Sequence, residues 1–425
     1  MSTHSHQARN YLASLLETKS LDEFSHQLAC KPDCLPPKLR TSTRFTLSSV
    51  EHQWQLLNAS SQTQANLFDE QTRSHLESYH HHIENFIGTV KLPVGIAGPL
   101  RVNGLFAQGD YYIPLATTEA ALVASYSRGA QLIGEAGGCS AMLLNEGVNR
   151  TPGFVFENLQ EAGIFLAWVV NQQTEFKQRA EATTRYGQLK EMRIAVEGNH
   201  VYLDFQFTTG DAAGQNMVTI ATEAICNYIC ECAPVKPKAA FVEANLSGDK
   251  KASVQSFINV RGKKVTAEIT LPPELVRKRL HATPQQMVNY WRMSALGGIL
   301  SGTIGVQGHY ANGLAALYLA CGQDVACVAE SAVGVTRFEV TATGGLYAAV
   351  TLPNLIVGTV GGGTGLPSQK ACLDILGLAG TGKARAFAEV CASLVLAGEL
   401  SIIGALASGE FTRAHQRLAR GTHVE

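Results

Sequence analysis

Hydrophobic and polar positions divide this chain into stretches of different texture. The first sixty residues are polar with short amphipathic pieces: "ARNYLASLLE" spaces its apolar residues for a helix, and "CKPDCLPP" interrupts the pattern. From Ile83 to Leu115 short apolar runs alternate with Gly and Pro, and "FIGTVKLPVGIAGPLRVNG" reads as strand, turn, strand. "TTEAALVASYSRGAQLI" then reads as a helix with Thr117 or Thr118 near its N-cap. Between residues 151 and 240, strand-like "MRIAVEGNHVYLDFQF" sits beside helix-like "FLAWVVNQQTEFKQRAEATTR" and "MVTIATEAICNYICE". That mixture predicts a small α+β domain inserted into a larger one. After residue 253, "SFINVRGKKVTAEITL" reads as a strand pair, and apolar helices and glycine loops follow.

The resulting division is an N-terminal helical segment (1–60), a large domain (61–150 and 253–425), the small domain (151–240) and a connecting loop (241–252). Two stretches, Met293–Gln323 and Val340–Gln369, contain no Asp, Glu, Lys or Arg. Their length would permit membrane spans, but Gln307, His309, Asn312, Pro353, Asn354 and several glycines argue against spanning a bilayer. Both are expected to be deeply buried in a soluble core.

Composition narrows the function classes. At 425 residues and 45% hydrophobic, the chain can bury a large core. Lys plus Arg is 34 against 35 Asp plus Glu, so no global field favours nucleic acid or an anionic membrane. Residues 1–30 lack the features of a signal peptide, and ten cysteines are too dilute for a disulfide framework. A reducing cytoplasm is the expected setting. Cys226, Cys230 and Cys232 are close in sequence but read as small apolar residues, so no metal is expected. The "YHHH" at Tyr79–His82 reads as a solvated polar run.

Against this sparing use of charge, "NLSGDKKAS" places Asp249, Lys250 and Lys251 side by side where the inserted domain returns to the main one. Junctions of this kind favour ligand sites. Other polar groups also stand in apolar surroundings: Glu119, Asp324, His309 with Asn312 three residues on, and His415 in "GEFTRAHQRLAR". An Asp, a Glu and a Lys drawn from such surroundings are stable together only as a paired network. That network is either a structural ion cluster or one that keeps a carboxylic acid protonated as a proton donor. "TVGGGTGLP", Thr359–Pro367, can bring backbone amides close to a ligand or simply turn tightly. "GLAGTGKA", Gly377–Ala384, misses a P-loop by one residue, because Ala384 stands where Ser or Thr would ligate magnesium. No Gly-x-Gly-x-x-Gly follows a strand, which argues against a Rossmann nicotinamide site.

Six segments in order, "ENFIGTVKLPVGIAGPL", "PLATTEAALVAS", "GDAAGQNM", "SGDKK", "GHYANGLAALYLACGQD" and "GTVGGGTGLPSQ", resemble the 3-hydroxy-3-methylglutaryl-coenzyme A reductases, in their biosynthetic class. The resemblance implies an α+β fold: a large, mostly helical catalytic domain carrying a small inserted ferredoxin-like α+β cofactor-binding domain. It implies reduction of hydroxymethylglutaryl-CoA by two NADPH to mevalonate and coenzyme A, through a mevaldyl thiohemiacetal and mevaldehyde. Lys250 would stabilise the oxyanion, Glu119 would donate the proton, Asp324 would tune the cluster, and His415 would protonate the departing thiolate. Arg150, Asp249 and Lys251 would hold the glutaryl end. His309 and Asn312 would line the same pocket, and Ser125 and Arg128 would lie where coenzyme A binds. NADPH would meet Asp211, Gly214, Gln215 and Asn216 at a helix N-terminus. Thr184, Arg185 and Tyr186 would lie near its 2′-phosphate, and Gly361, Gly362 and Gly363 against its nicotinamide half. Because the family's site forms between subunits, a homodimer or homotetramer is expected.

The chain departs from the pattern at Ala213 and Gln215, where the family usually has methionines, and at Glu243, where a serine commonly contacts substrate. Two rival readings are a phosphotransferase built on "GLAGTGKA" and a non-catalytic acyl-CoA-binding protein.

Overall fold

Residue alternation builds the sheet. In the strand Gly262–Leu271, Val265, Ala267, Ile269 and Leu271 are buried while Thr266, Glu268 and Thr270 between them face outward or lie part-exposed, the period of two that one packed face demands. The structure, a computed structural model, describes residues 5–32 and 42–412; His415 lies outside the described residues. Its ten strands are β1 (Val94–Gly104), β2 (Gln108–Ala116), β3 (Cys139–Arg150), β4 (Gly153–Val155), β5 (Gln188–Glu197), β6 (His200–Thr208), β7 (Ala239–Phe241), β8 (Gly262–Leu271), β9 (Val335–Val340) and β10 (Leu346–Leu355). They run in the order β7-β4-β6-β3-β8-β10-β9, with β1 parallel to β3, β2 beside β1 and β5 beside β6.

Strand β3 is the spine. Ser140–Gly147 pair antiparallel with β8, whereas Val148–Arg150 pair antiparallel with β6. Gly147 marks the change, since a Cβ there would lie 2.5 Å from the Gln206 side chain. On the β8 side the core includes Val265, Leu314, Leu317, Leu352 and Leu394; on the β6 side a separate core holds Phe154, Phe165, Phe176, Phe205 and Ile225. A third, small cluster joins Phe45, Val50, Trp54, Phe68 and Phe86. Helix and sheet are both substantial, at 47% and 21% of residues, so the fold is α+β.

Five helices matter for the site: α1 (Leu122–Glu135), α2 (Gln215–Cys232), α3 (Pro284–Ser301), α4 (Tyr310–Ala320) and α5 (Ala384–Ser408). Helix α5 is long and apolar enough to cross a membrane, yet most of it lies inside the larger core. Its glutamates Glu389 and Glu399 are fully buried, and each accepts from the backbone of a neighbouring loop. Glu389 accepts from the amides of Phe106 and Ala107 at 2.8 Å, and Glu399 accepts from Gly308 and His309 at 2.8 Å. A buried carboxylate thus does for backbone N–H groups what solvent does at the surface.

Four local expectations change. The Gly98–Pro99 region does not end a strand; a register shift between Ala97 and Leu100 absorbs it and β1 continues against β2. "SFIN" is not a strand but a short helix, Gln255–Ile258, fixed when Asn354 Nδ2 donates to Ser256 Oγ at 2.8 Å. Helix α1 starts at Leu122, because Thr117 Oγ1 accepts from the amide of Glu119 at 3.0 Å and caps a turn rather than the helix. The uncharged stretch from Met293 is buried only in part. Met293, Leu296, Ile299 and Leu300 form an exposed apolar face on α3, with Leu300 89% exposed.

Candidate active site

The loop from Glu243 to Ser253 is held by its own polar residues. Ser247 Oγ donates to Glu243 at 3.1 Å and accepts from the amide of Asp249 at 3.2 Å. Gly248 takes a positive φ, and so does Lys250, at 56°. Among the described non-glycine residues with positive φ, all except Lys250 and Ala121 are Asn or His. Both exceptions lie at or within two residues of an expected catalytic side chain, where stored backbone strain commonly accompanies function.

Two layers of charge support this loop. In the inner layer, Arg261 is 1% exposed and contacts Asp249 at 2.7 Å and Glu330 at 2.6 Å. Arg150, at the end of β3, contacts Asp249 at 3.0 Å and Glu243 at 3.1 Å. Burial alone would raise the Asp249 pKa, but Arg261 and then Arg150 hold it below the usual carboxylate value. Burial raises that of Glu330, which also accepts from the Lys250 amide at 3.1 Å. In the outer layer, Lys250 Nζ meets Asp324 at 2.8 Å with both side chains 40% exposed. The hydrogen bond to Asp324 raises the Lys250 pKa and so keeps it an ammonium group. Lys251 Nζ donates to the Asp249 carbonyl at 2.8 Å.

Lys250 and Asp324 open onto a cavity of about 530 Å³ whose far walls are Gly214, Gln215 and Asn216 and the loop Gly361–Gly363. Helix α2 has no side-chain cap, so its first amides are not claimed by a side chain. Added Cβ atoms at Gly361 or Gly362 would meet nothing within 4 Å, and both take positive φ. An uncapped 18-residue helix facing a bare glycine loop fits an extended phosphate-bearing dinucleotide. Gln215 donates to Cys327 Sγ at 2.8 Å. Thr184 donates to Met217 Sδ at 2.9 Å, which sets the exposed Arg185 and Tyr186 beside the first turn of α2.

The other expected residues gather elsewhere. A second cavity, about 510 Å³, is lined by Glu119, Ser125, Arg128, His309 and Asn312 and shares no lining residue with the first. Asn312 Nδ2 donates to Glu119 at 2.9 Å, and Arg128 donates to Ser401 Oγ at 3.1 Å. His309 stacks on Tyr126, ring centroids 4.9 Å apart, and burial depresses its pKa to about 4, leaving it neutral near pH 7. Within one chain, then, Lys250 pairs with Asp324, and Glu119 bonds Asn312 instead.

Asp211 does not line the first cavity. Its carboxylate accepts from the amides of Gly382 at 2.8 Å and Ala384 at 3.1 Å, at the start of α5. These are the amides that a P-loop would offer to phosphate, so an internal carboxylate fills the one feature supporting a phosphotransferase. Helix Pro367–Ile375, not a strand, precedes that loop.

Reading the sequence missed Arg261, Glu330 and Glu399. The signal used for Glu119, a lone charge in apolar text, also marks Glu330 in "CVAESAV" and Glu399 in "LAGELSII".

Comparison with known proteins identifies the family. The family model for hydroxymethylglutaryl-coenzyme A reductase matches residues 49–420. The 3-hydroxy-3-methylglutaryl-coenzyme A reductase of Pyrococcus abyssi is 44% identical over 346 residues, covering 80% of this chain and 84% of its own. That of Methanocaldococcus jannaschii is 43% identical over 343 residues, covering 80% and 84%. A solved structure, the class II reductase of Streptococcus pneumoniae bound to NADPH in open conformations, superposes with a TM-score of 0.64 at 20% identity, over 84% of this chain and 97% of that one. At that identity the likeness speaks for the fold. With nearly the whole described chain matched and the charged loop, glycine loop and uncapped helix in one place, this chain belongs to the hydroxymethylglutaryl-coenzyme A reductase family.

Proposed function

We propose that the chain reduces 3-hydroxy-3-methylglutaryl-CoA to mevalonate and coenzyme A with NADPH. The observation that carries this is the Lys250–Asp324 pair, a half-exposed ammonium group at the wall of a cavity that also receives an uncapped helix and a glycine loop. NADPH, when bound, supplies the two hydrides. Gly214, Gln215 and Asn216 would receive its diphosphate and Gly361–Gly363 its nicotinamide half, with Arg185 beside the 2′-phosphate. Nicotinamide specificity for the phosphorylated form follows from that guanidinium.

Lys250 faces the carbonyl oxygen on which negative charge develops, and its fixed ammonium group is worth more there than in water. Asp324 keeps it charged and aimed. Glu119 is the proton donor, oriented by Asn312, and Arg150 with Lys251 receives the carboxylate end of the substrate. His415 protonates the departing thiolate, which would otherwise recombine. Ser125 and Arg128 line the path for coenzyme A. We assign residues 151–240 to the cofactor-binding domain, inserted with a ferredoxin-like α+β arrangement, and residues 61–150 and 253–425 to the catalytic domain, with 241–252 connecting them and 1–60 as a helical lead.

Glu119 bonds Asn312 rather than Lys250, and α3 carries an exposed apolar face. We assign the chain to a homodimer or homotetramer, in which a second copy would cover that apolar face. Light scattering reads this directly, and an active monomer would exclude it. The nine cysteines among the described residues are all free, which suits the cytoplasm.

The decisive experiment follows reduced-nicotinamide absorbance with hydroxymethylglutaryl-CoA. Two cofactors should be oxidised per substrate, with NADPH preferred. No oxidation with either nicotinamide cofactor overturns the proposal.

A further inference from the structure

Arg150 is the cation to which the reductase reading assigns the carboxylate end of the substrate, and the resting chain has already engaged it. Its Nη1 donates to Glu243 Oε2 at 3.1 Å and to Asp249 Oδ2 at 3.0 Å. The side chain is 7% exposed, and its buried Nε makes no hydrogen bond. Two carboxylates therefore crowd one nitrogen of a planar fork whose favoured partner is a single bidentate carboxylate. Both contacts are also long for charge-assisted bonds, which run to about 2.7–2.9 Å.

The charge count sharpens the point. Arg150 and Arg261 face Glu243, Asp249 and Glu330, two cations against three carboxylates. Lys250 is engaged with Asp324, which leaves Lys251 as the accessible ammonium group of the loop. A substrate carboxylate arriving at Arg150 would make four anions against those two cations. Asp249 cannot yield, because Arg261 holds it from the other side at 2.7 Å. Glu243 can. It lies 24% exposed at the start of the loop, and its remaining partners are donors from neutral groups: the amides of Thr151 and Asn245 and the Ser247 hydroxyl.

We propose that Glu243 is an internal competitor for the substrate carboxylate, so that binding exchanges Glu243 for substrate at Arg150 and this exchange sets the affinity for the acyl group. The proposal rests on the reductase reading of the site. It assigns Glu243 a positioning and specificity role, with no part in hydride or proton transfer.

The test compares the intact enzyme with Glu243→Gln, which keeps an acceptor for the loop amides, and Glu243→Ser, which opens the position. Removing the competing charge should lower KM for hydroxymethylglutaryl-CoA and the inhibition constant of free 3-hydroxy-3-methylglutarate, each by roughly tenfold. Inhibition by coenzyme A, which has no carboxylate at that end, should stay within about twofold. A merely structural glutamate would weaken binding when replaced, not strengthen it. Unchanged or raised constants in both variants overturn the proposal. Calorimetric titration with 3-hydroxy-3-methylglutarate reads the same competition without turnover. An intact enzyme that binds the diacid more weakly than its Glu243→Gln form, yet oxidises no NADPH, would sink the reductase reading and leave the competition standing.

Discussion

Two groups of charges meet at the Gly248–Lys251 turn and do opposite things. Behind it, Arg261 and Glu330 are 1% and 0% exposed and satisfy each other and the loop backbone. In front of it, Lys250 and Asp324 are each 40% exposed and have one ionic partner apiece. The rear charges cost several kcal/mol each to desolvate and are tolerable only because they are paired. The front pair keeps part of its hydration, so its charge is still available to a ligand that expels the remaining water. Burial separates the charges that hold the loop from those that can act on a substrate.

The largest test of that contrast is Arg261→Met. Glu330 would remain buried without its cation and Asp249 would keep only Arg150, so stability should fall by about 3–5 kcal/mol, read by denaturant unfolding. A loss below about 1 kcal/mol would mean that the inner layer is not what orders the loop. Lys250→Ala should show the reverse: unfolding free energy within about 0.5 kcal/mol of the parent, with kcat lower on the order of 10²–10³-fold. If that variant loses stability as Arg261→Met does, the two layers are one cluster and the distinction fails.

His309 supplies the smallest and finest test, because its largely buried ring bonds the neutral Tyr126 hydroxyl rather than a charged side chain among the described residues. Burial lowers its pKa from 6.5 to about 4. The folded state thus prefers the neutral ring, and the sign follows: this stabilisation is present above pH 6.5 and is lost as pH falls through 6.5 toward about 4. Its full size is about 3 kcal/mol. His309→Gln should flatten stability over that window. An unaltered acid limb would show that His309 is protonated in the fold and belongs with the exposed charges.

Much of the site could be read along the chain because its parts are contiguous. "SGDKK" is a loop in sequence and in space, and the glycines before α2 and at Gly361–Gly363 mark backbone that must stay bare. Asp324 was legible as an isolated acid, though its pairing with Lys250 links positions seventy-four residues apart. The rule failed where it was applied unevenly: Glu330, Glu389 and Glu399 are isolated acids of the same kind, and all three are fully buried. It failed differently at "GLAGTGKA", where local spacing resembles a phosphate loop and the decisive partner, Asp211, is more than 170 residues away. The uncharged stretch beginning at Met293 misled because lack of charge predicts burial without saying in what. On α3 the described residues leave Met293, Leu296, Ile299 and Leu300 exposed.

By itself the sequence determined the period-two strands, the amphipathic and wholly apolar helices, the turns that only glycine permits, and the family to which the ordered motifs belong. These depend on neighbours a few residues apart, where sterics and side-chain spacing leave few choices. The tertiary structure alone decided which carboxylate meets which cation. It joined Arg150 to Glu243, Arg261 to Glu330 and Asp211 to the start of α5, and it gave Glu119 the side-chain amide of Asn312 as a partner. The reason is physical. A charge pairs with whatever the fold brings within about 4 Å, and its worth depends on the water it has lost; neither quantity is written in the local sequence.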